Sequence, residues 1–474
     1  MKKYILTFMA LVTLWSCQTD EAYERLNRDP KNPTQVRADF LFTSATVSLG
    51  DQMASPNVNL NIFRFLAQYL TATTYLDEPN YDLNNRNIPQ NHWTTLYRNV
   101  IFNLQDAKSI VMENAELSDG EKRARIGQIE VIEVYAWHVL VDSFGDIPYT
   151  EALDADISLP KYDDDAMIYD DLLSRLEAVV ADLEAGEGFT GADVIYGGDM
   201  EAWVKFANSL RLRLAMRISD VDAASSISHA NAAIAGGVFE SNADNALIQF
   251  QSSPPNTNPL WSDLVQSGRS DYVAANTIVD IMNDLEDPRR DEYFRQNLGD
   301  GEYEGGIYGA SNSFPLYSHA GDAFHDPTHP GILLDWAEVE FHMAEAAQIG
   351  GYNTPMDAEG HYEEGIRASI LYWEGTEADV TAYLSKAGVA YNGTEEQLGT
   401  QFWIAMYDNP FQGWSVWRKF DAPELNIAEE SQLPVPLRYT YPVNEQNLNV
   451  DNYNDASSAI GGDEQQTPVF WDVD

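Results

Sequence analysis

Met200-Glu201-Ala202-Trp203-Val204-Lys205-Phe206-Ala207-Asn208-Ser209-Leu210-Arg211-Leu212-Arg213-Leu214-Ala215-Met216-Arg217-Ile218-Ser219 decides the fold class, because Trp203, Phe206, Ala207, Leu210 and Leu214 recur at helical spacing. Such a stripe needs a core to bury it. The same pattern appears upstream as Ile126, Ile129, Ile132 and Ala136 within residues 121–143, and downstream as Trp336, Val339, Met343 and Ala347 within 335–350. Helices are also predicted over 39–49, 60–71, 92–113, 166–183, 272–285, 355–373 and 395–408. Breakers such as Gly145-Asp146-Ile147-Pro148, Gly236-Gly237 and Gly350-Gly351 separate them.

Long helices joined by short breaks predict a mainly α protein built of stacked helical hairpins, the arrangement of tetratricopeptide-type solenoids, although no repeat consensus is visible. Between about residues 239 and 331 the pattern changes. Ser252-Ser253-Pro254-Pro255, Gly299-Asp300-Gly301, Gly305-Gly306 and Asp326-Pro327 interrupt short segments, which reads as a loop-rich insertion. The stretch from Pro423 onward is also read as irregular, with one short strand near residues 433–441. No Pro/Gly/Ser linker divides the chain, so one domain is expected.

Asp and Glu number 75 against 28 Lys and Arg, a formal net charge of −47. That field repels nucleic-acid phosphates, so no nucleic-acid partner is expected. Disorder, the other reading of high charge, is excluded by 44% hydrophobic and 12% aromatic residues, enough to bury a large core. The N-terminus has the layout of a secretory signal over residues 1–16: Lys2 and Lys3, then an apolar run from Tyr4 to Trp15 too short to span a bilayer. Leu14-Trp15-Ser16-Cys17 resembles a lipobox, with Trp15 where a small residue is usual, and predicts lipid on Cys17 as a membrane anchor. An ordinary signal peptide with an incidental cysteine is the alternative. Cys17 is the only cysteine, so no intramolecular disulfide can form. Gln18-Thr19-Asp20-Glu21 is similar to the surface-export signal of Bacteroidetes lipoproteins.

A Gly-x-Ser-x-Gly elbow, a phosphate loop and a Rossmann glycine fingerprint are all absent from the sequence. His319, His325 and His329 cluster, but at loop spacings of six and four that do not make a zinc motif. Carboxylates are abundant enough to supply a glycosidase pair by chance alone. Asp163-Asp164-Asp165 reads as a helix start, where acids complement the dipole. Asp142, Asp146 and Asp156 offer calcium-type ligands without an ordered calcium-loop spacing, so calcium is the one ion kept in view and no other cofactor is expected. Arg211, Arg213 and Arg217 read as bridges from one helix to acids on its neighbours, with a substrate-anion site as the alternative.

Aromatics supply the candidate ligand site. Tyr75, Tyr81 and Trp93 flank a polar loop holding Asn80, Asn84, Asn85, Arg86 and Asn87, while Trp261, Tyr272, Tyr303, Tyr308, Phe314 and Tyr317 occupy the insertion. A ring can cover the apolar face of a sugar while neighbouring amides and acids bond its hydroxyls. The binding set read from these segments is Tyr75, Tyr81, Arg86, Trp93, Trp261, Tyr303, Tyr308, Phe314 and Tyr317. Trp93 could equally be core at a helix start; Tyr303 and Tyr308, in a Gly-rich stretch, are expected to be the more exposed. Arg86 and Arg269 could offset the repulsion of an anionic glycan.

Several segments together resemble the SusD/RagB family of surface lipoproteins. They are Asn27-Arg28-Asp29-Pro30-Lys31-Asn32-Pro33-Thr34, Phe144-Gly145-Asp146-Ile147-Pro148-Tyr149-Thr150-Glu151-Ala152, and Trp203 to Arg213 as quoted above. Then follow Asp287-Pro288-Arg289, Ala344-Glu345-Ala346-Ala347, Gln401-Phe402-Trp403-Ile404-Ala405-Met406, and Leu437-Arg438-Tyr439-Thr440-Tyr441-Pro442 with Glu445, Asn447 and Asn449. The resemblance implies four tetratricopeptide-like helix pairs supporting an irregular, ligand-binding half. On this reading residues 17–38 form the lipidated tether and the start of the fold, and residues 39–474 form the SusD-like domain. It also implies a non-catalytic protein lipid-anchored at the outer-membrane surface, a SusC-like TonB-dependent transporter as partner, and oligosaccharide cargo. Peptide cargo, or a surface glycoside hydrolase, are the alternatives.

Overall fold

The computed structural model describes residues 36–473. Cys17, the signal segment, the 18–21 acidic stretch and the Asn27–Thr34 motif lie outside the described residues.

The chain opens with α1 (Ala38–Ala54), followed by the one-turn helix Phe63–Leu66 and the strand β1 (Leu70–Ala72). Next comes α2 (Ile88–Thr94), which runs through a π-helical stretch, Thr95–Ile101, into α3 (Phe102–Glu113). The long helices α4 (Asp119–Phe144), α5 (Asp165–Leu183), α6 (Met200–Arg217) and α7 (Ala223–Gly236) form two successive hairpins. Then come β2 (Ala246–Ile248), β3 (Tyr272–Ala274), α8 (Asn276–Asp284) and β4 (Gly331–Leu334). Two further hairpins pair α9 (Trp336–Ile349) with α10 (Ala358–Tyr372), and α12 (Glu395–Ala405) with α13 (Pro410–Phe420); α11 (Glu377–Leu384) lies between them in the chain. The short helix Val443–Leu448 and α14 (Val450–Ala459) complete it. Among the described residues four helix pairs are therefore present, as the resemblance implies.

Some of the acids serve as helix caps. Ser118 and Glu121 form a capping box on α4, while Asp164, Asp199, Asp222, Asp335 and Asp357 each accept backbone N–H groups at the start of α5, α6, α7, α9 and α10. Each cap satisfies donors that the helix cannot satisfy itself. Asp163-Asp164-Asp165 opens a helix as expected. The stripe on α6 is buried throughout, with Trp203, Phe206, Ala207, Leu210 and Leu214 all at 0% exposure. Arg211 meets His229 and Glu177, Arg213 meets Glu338, and Arg217 donates to Gln412, so the three arginines bridge helices.

The structure corrects several boundaries. Residues 60–71, read as one helix, give only Phe63–Leu66 before Gln68 turns left-handed (φ 52°) and the chain enters β1. That turn is held from far along the sequence: Gln68 accepts hydrogen bonds from Thr277 (2.5 Å) and the Asn426 backbone N–H (2.9 Å), and donates to the Asn426 carbonyl (2.6 Å). Residues 272–274, read as helix, form β3 and pair antiparallel with β1, Leu70 opposite Ala274 and Ala72 opposite Tyr272. The strand expected near 433–441 is absent: Tyr439 and Tyr441 are buried in irregular chain, where the Tyr439 hydroxyl accepts from the Ile62 N–H (3.1 Å) and the Tyr441 hydroxyl donates to the Asp146 carbonyl (2.8 Å). Helices α7, α11, α13 and α14 fall in segments not read as helical.

In the segment read as an insertion, β3 pairs with β1 and β2 with β4, which ties it to the N-terminal part of the fold and to the strand that leads into α9. Gly305 is essential to this closure. A Cβ there would lie 2.3 Å from Cα and 2.5 Å from N of Asn276. The adjoining Gly306 exchanges backbone hydrogen bonds with Ala274 and Asn276, both 2.8 Å. Gly305→Ala must separate the two backbones, and a loss of about 1–3 kcal/mol is expected in urea unfolding. An unchanged midpoint would contradict the packing.

Candidate ligand-binding site

The β1–β3 pair brings two loops together. Thr73 continues the ladder by donating to the Asp271 carbonyl (2.9 Å) and, through its hydroxyl, to that of Ser270 (2.6 Å). Tyr75 therefore emerges beside residues 269–272. The two loops line a cleft of about 320 Å³, completed by Asn57, Val58 and Asn59 at one side and floored by Phe65.

Tyr75 is the most exposed aromatic of the binding set, at 54%, and its backbone is left-handed (φ 61°), a conformation that costs a non-glycine residue energy and must be imposed by its surroundings. The Arg86 and Arg269 guanidinium carbons lie 5.5 and 5.3 Å from its ring centroid, within cation–π range. Each arginine is held by an acid. Arg86 bonds Glu78, and Arg269 bonds both carboxylate oxygens of Asp271. Burial raises the Glu78 carboxyl above its ordinary value despite the Arg86 contact, and its Oε2 has no hydrogen-bond partner. Asp263 also lines the cleft, where burial and then the charge of Asp271 push its carboxyl up to about 6. Tyr272 packs on Phe65 with ring centroids 6.0 Å apart, and burial followed by the Asp263 charge holds its hydroxyl protonated.

Of the residues singled out from sequence, the cleft gathers Tyr75, Arg86, Arg269 and Tyr272. Trp261 is half-buried at the end of the short helix Pro259–Trp261, whose continuation carries Asp263. Four rings lie in the core instead. Tyr81 is 2% exposed and Tyr308 1%, their rings 6.1 Å apart, and the Tyr308 hydroxyl donates to the Phe65 carbonyl at 2.7 Å. Trp93 packs edge-on to Phe144. Tyr303, 7% exposed, bonds Asp291 and lies under Arg290. The exposure expected of Tyr303 and Tyr308 is thus corrected: Gly305 and Gly306 let this stretch press against β3, turning both rings inward. Phe314 stacks on His319 at 3.8 Å, and both Phe314 and Tyr317 are half-buried outside the cleft lining. Asp263 and Asp271 were not singled out, since nothing local marks them among 75 acids.

The metal-type groups are dispersed. Asp142 accepts from the Tyr169 hydroxyl (2.5 Å) and Trp471 Nε1 (2.8 Å), Asp156 is exposed, and Asp146 instead approaches Asp164 and Asp165, their carboxylate oxygens within 4.8 Å of one another. Those three already serve backbone N–H groups of residues 165, 167 and 166 respectively. His319 and His325 bond backbone carbonyls, and His329 bonds Asp408 at 2.8 Å.

Residues 30–442 match the SusD-like family model described as "Starch-binding associating with outer membrane". No curated protein matches the chain. Among solved structures, a chitin-binding protein is 27% identical with a TM-score of 0.80, covering 92% of this chain and 100% of its own. A chitin-binding SusD homologue from Flavobacterium johnsoniae is 25% identical with a TM-score of 0.77, covering 92% and 98%. A SusD homologue from Bacteroides uniformis is 25% identical with a TM-score of 0.80, covering 92% and 100%. With the family match spanning most of the chain and the helix pairs in the same arrangement, this chain belongs to the SusD-like family.

Proposed function

We propose that this protein captures an oligosaccharide at the Tyr75 cleft and passes it to a SusC-like TonB-dependent transporter, without catalysis, while lipid on Cys17 holds it at the outer-membrane surface. The observation that carries the reading is the exposed Tyr75 ring, fixed in a strained backbone conformation between two acid-anchored arginines at the mouth of a cleft. A ring held this way is pre-organised for stacking on a sugar, so little ordering entropy is lost on binding. The family description and the chitin-binding names of two similar structures support a glycan as cargo, and make β-1,4-linked N-acetylglucosamine oligomers the first to test.

Binding is favoured over hydrolysis by the state of the cleft acids. A glycosidase needs two carboxyl groups with divided acid and base roles. Here Glu78 and Asp271 are each engaged by an arginine, leaving Asp263 alone.

Tyr75→Ala is expected to weaken glycan binding about tenfold in calorimetric titration, from lost stacking and lost ring area. Retained affinity would move the site elsewhere. Binding of peptides with no response to any glycan would replace the glycan reading by the peptide one, and new reducing ends released from a bound glycan would replace binding by hydrolysis.

A further inference from the structure

We propose that the Tyr75 cleft selects sugars bearing a free amino group, with the Asp263 carboxylate as the acceptor that recognises the ammonium. This deepens the glycan reading and rests on it.

Arg86 is neutralised by Glu78, and Arg269 by Asp271, which it engages through two hydrogen bonds. These pairs cancel. Asp263 is then the one carboxylate lining the cleft that has no cation of its own, and among the described residues no donor bonds it; its hydrogen-bonding partner Ser267 reaches only its backbone carbonyl. A second unsatisfied acceptor, Oε2 of the fully buried Glu78, lies in the same lining. The groups facing Asp263 are Asp271, Arg269 and Tyr272 from the approach to and start of β3, and Tyr75, Glu78 and Arg86 from the loop after β1; Asn57, Val58 and Asn59 add no charge.

A site with two internally paired arginines and surplus acceptors has its unmet demand for a cationic donor. A hexose hydroxyl would give Asp263 one neutral hydrogen bond. An acetamido group would add bulk and no charge. An ammonium supplies several donors and the missing positive charge together, and charge-assisted hydrogen bonds are about twice as strong as neutral ones. The chemical class is therefore an oligosaccharide containing 2-amino-2-deoxyhexose units, as in deacetylated chitin fragments. Burial and the neighbouring Asp271 charge push the Asp263 carboxyl up to about 6, so the preference should be greatest between that value and the pKa of the sugar amine, fading in acid as the carboxylate is neutralised and in base as the ammonium loses its proton.

The test uses the mature protein and three β-1,4-linked tetramers that differ only at C2, carrying amine, acetamide or hydroxyl, titrated calorimetrically at about pH 7 and about pH 5. Expected at the higher pH is roughly tenfold tighter binding of the amine tetramer than of the other two. In Asp263→Asn the three should converge, whereas Tyr75→Ala should weaken all three together. Loss of the preference at the lower pH in the unmodified protein tests the same group without relying on a variant's folding. Equal affinities at about pH 7, or a preference that survives in Asp263→Asn, would overturn the proposal while leaving glycan binding intact. If none of the three tetramers binds, the proposal falls, and failure of every other glycan as well would remove the reading beneath it.

Discussion

Arg213→Met is expected to cost the fold about 3–5 kcal/mol, because it strands a buried carboxylate. Arg213 and Glu338 are both 0% exposed and join α6 to α9, with Arg213 Nη2 donating to Glu338 Oε2 at 2.8 Å and to the Leu333 carbonyl of β4 at 2.7 Å. Burial alone would raise the Glu338 carboxyl, but Arg213, aided by His342, outweighs it and brings it down to about 2. A depressed carboxyl contributes stability that is present above its ordinary value of 4.5 and is lost as pH falls through about 2. The pair should therefore hold across the neutral range and fail only in strong acid. Glu338→Leu alone should be as damaging, since it leaves the guanidinium unpaired. The double variant Arg213→Met/Glu338→Leu should recover to within about 1 kcal/mol of the original, since a well-packed apolar pair can replace a buried ion pair. Chemical unfolding of the four proteins closes the cycle, and additive losses in the double variant would refute the coupling.

That pair also illustrates what a sequence can and cannot disclose. The stripe of α6 declares a buried helix face, and three arginines in so acidic a chain declare that acids must meet them. Which acids they meet is a matter of topology: Glu338 lies 125 residues away. The helices with long stripes and clear caps were legible because their information is local, as in the Ser118 box on α4. The turn at Gln68 was not, because its side chain is held by Asn426, 358 residues on. Hydrophobic spacing around it remains compatible with a helix, and only the tertiary bond decides against one.

The candidate site divides on the same line. Tyr75 and Arg86 could be picked out because they share a short polar loop. Their partners Arg269, Asp271 and Asp263 arrive across the β1–β3 ladder, which no local pattern announces. The Gly-rich stretch around Tyr303 and Tyr308 misleads for a physical reason. Glycine usually marks exposed turns, yet here the missing Cβ of Gly305 permits backbone contact with Asn276, and close contact buries the neighbouring rings.

The second large effect is expected at Asp142, whose carboxylate was read from sequence as a metal-type ligand and stands instead at the junction of α4, α5 and the C-terminal segment. Its Oδ1 accepts from Tyr169 on α5 and from Trp471 near the chain end, and its Oδ2 lies 4.0 Å from Arg217. Around it, Arg418 stacks 3.7 Å from the Trp414 ring centroid and 4.7 Å from that of Trp471, while Arg217 also lies 4.7 Å from Trp471. Both arginines are buried. Burial opposes the charge of Arg418 and Arg217 repels it, so Asp142 is the foremost of the groups that keep it protonated. Asp142→Leu removes that support, leaves the Tyr169 hydroxyl and the Trp471 N–H without their acceptor, and should cost about 3–5 kcal/mol. Asp142→Asn keeps an acceptor at Oδ1 and loses only the charge, so its cost should be smaller. Because Trp471, Arg418 and the carbonyl of Leu437 meet at this junction, the Leu variant should also expose the C-terminal segment to protease before the helical pairs open. A loss below about 1 kcal/mol, or nicking that begins in the helix pairs, would show that the tail is docked by apolar packing alone and that the buried charges are balanced without Asp142.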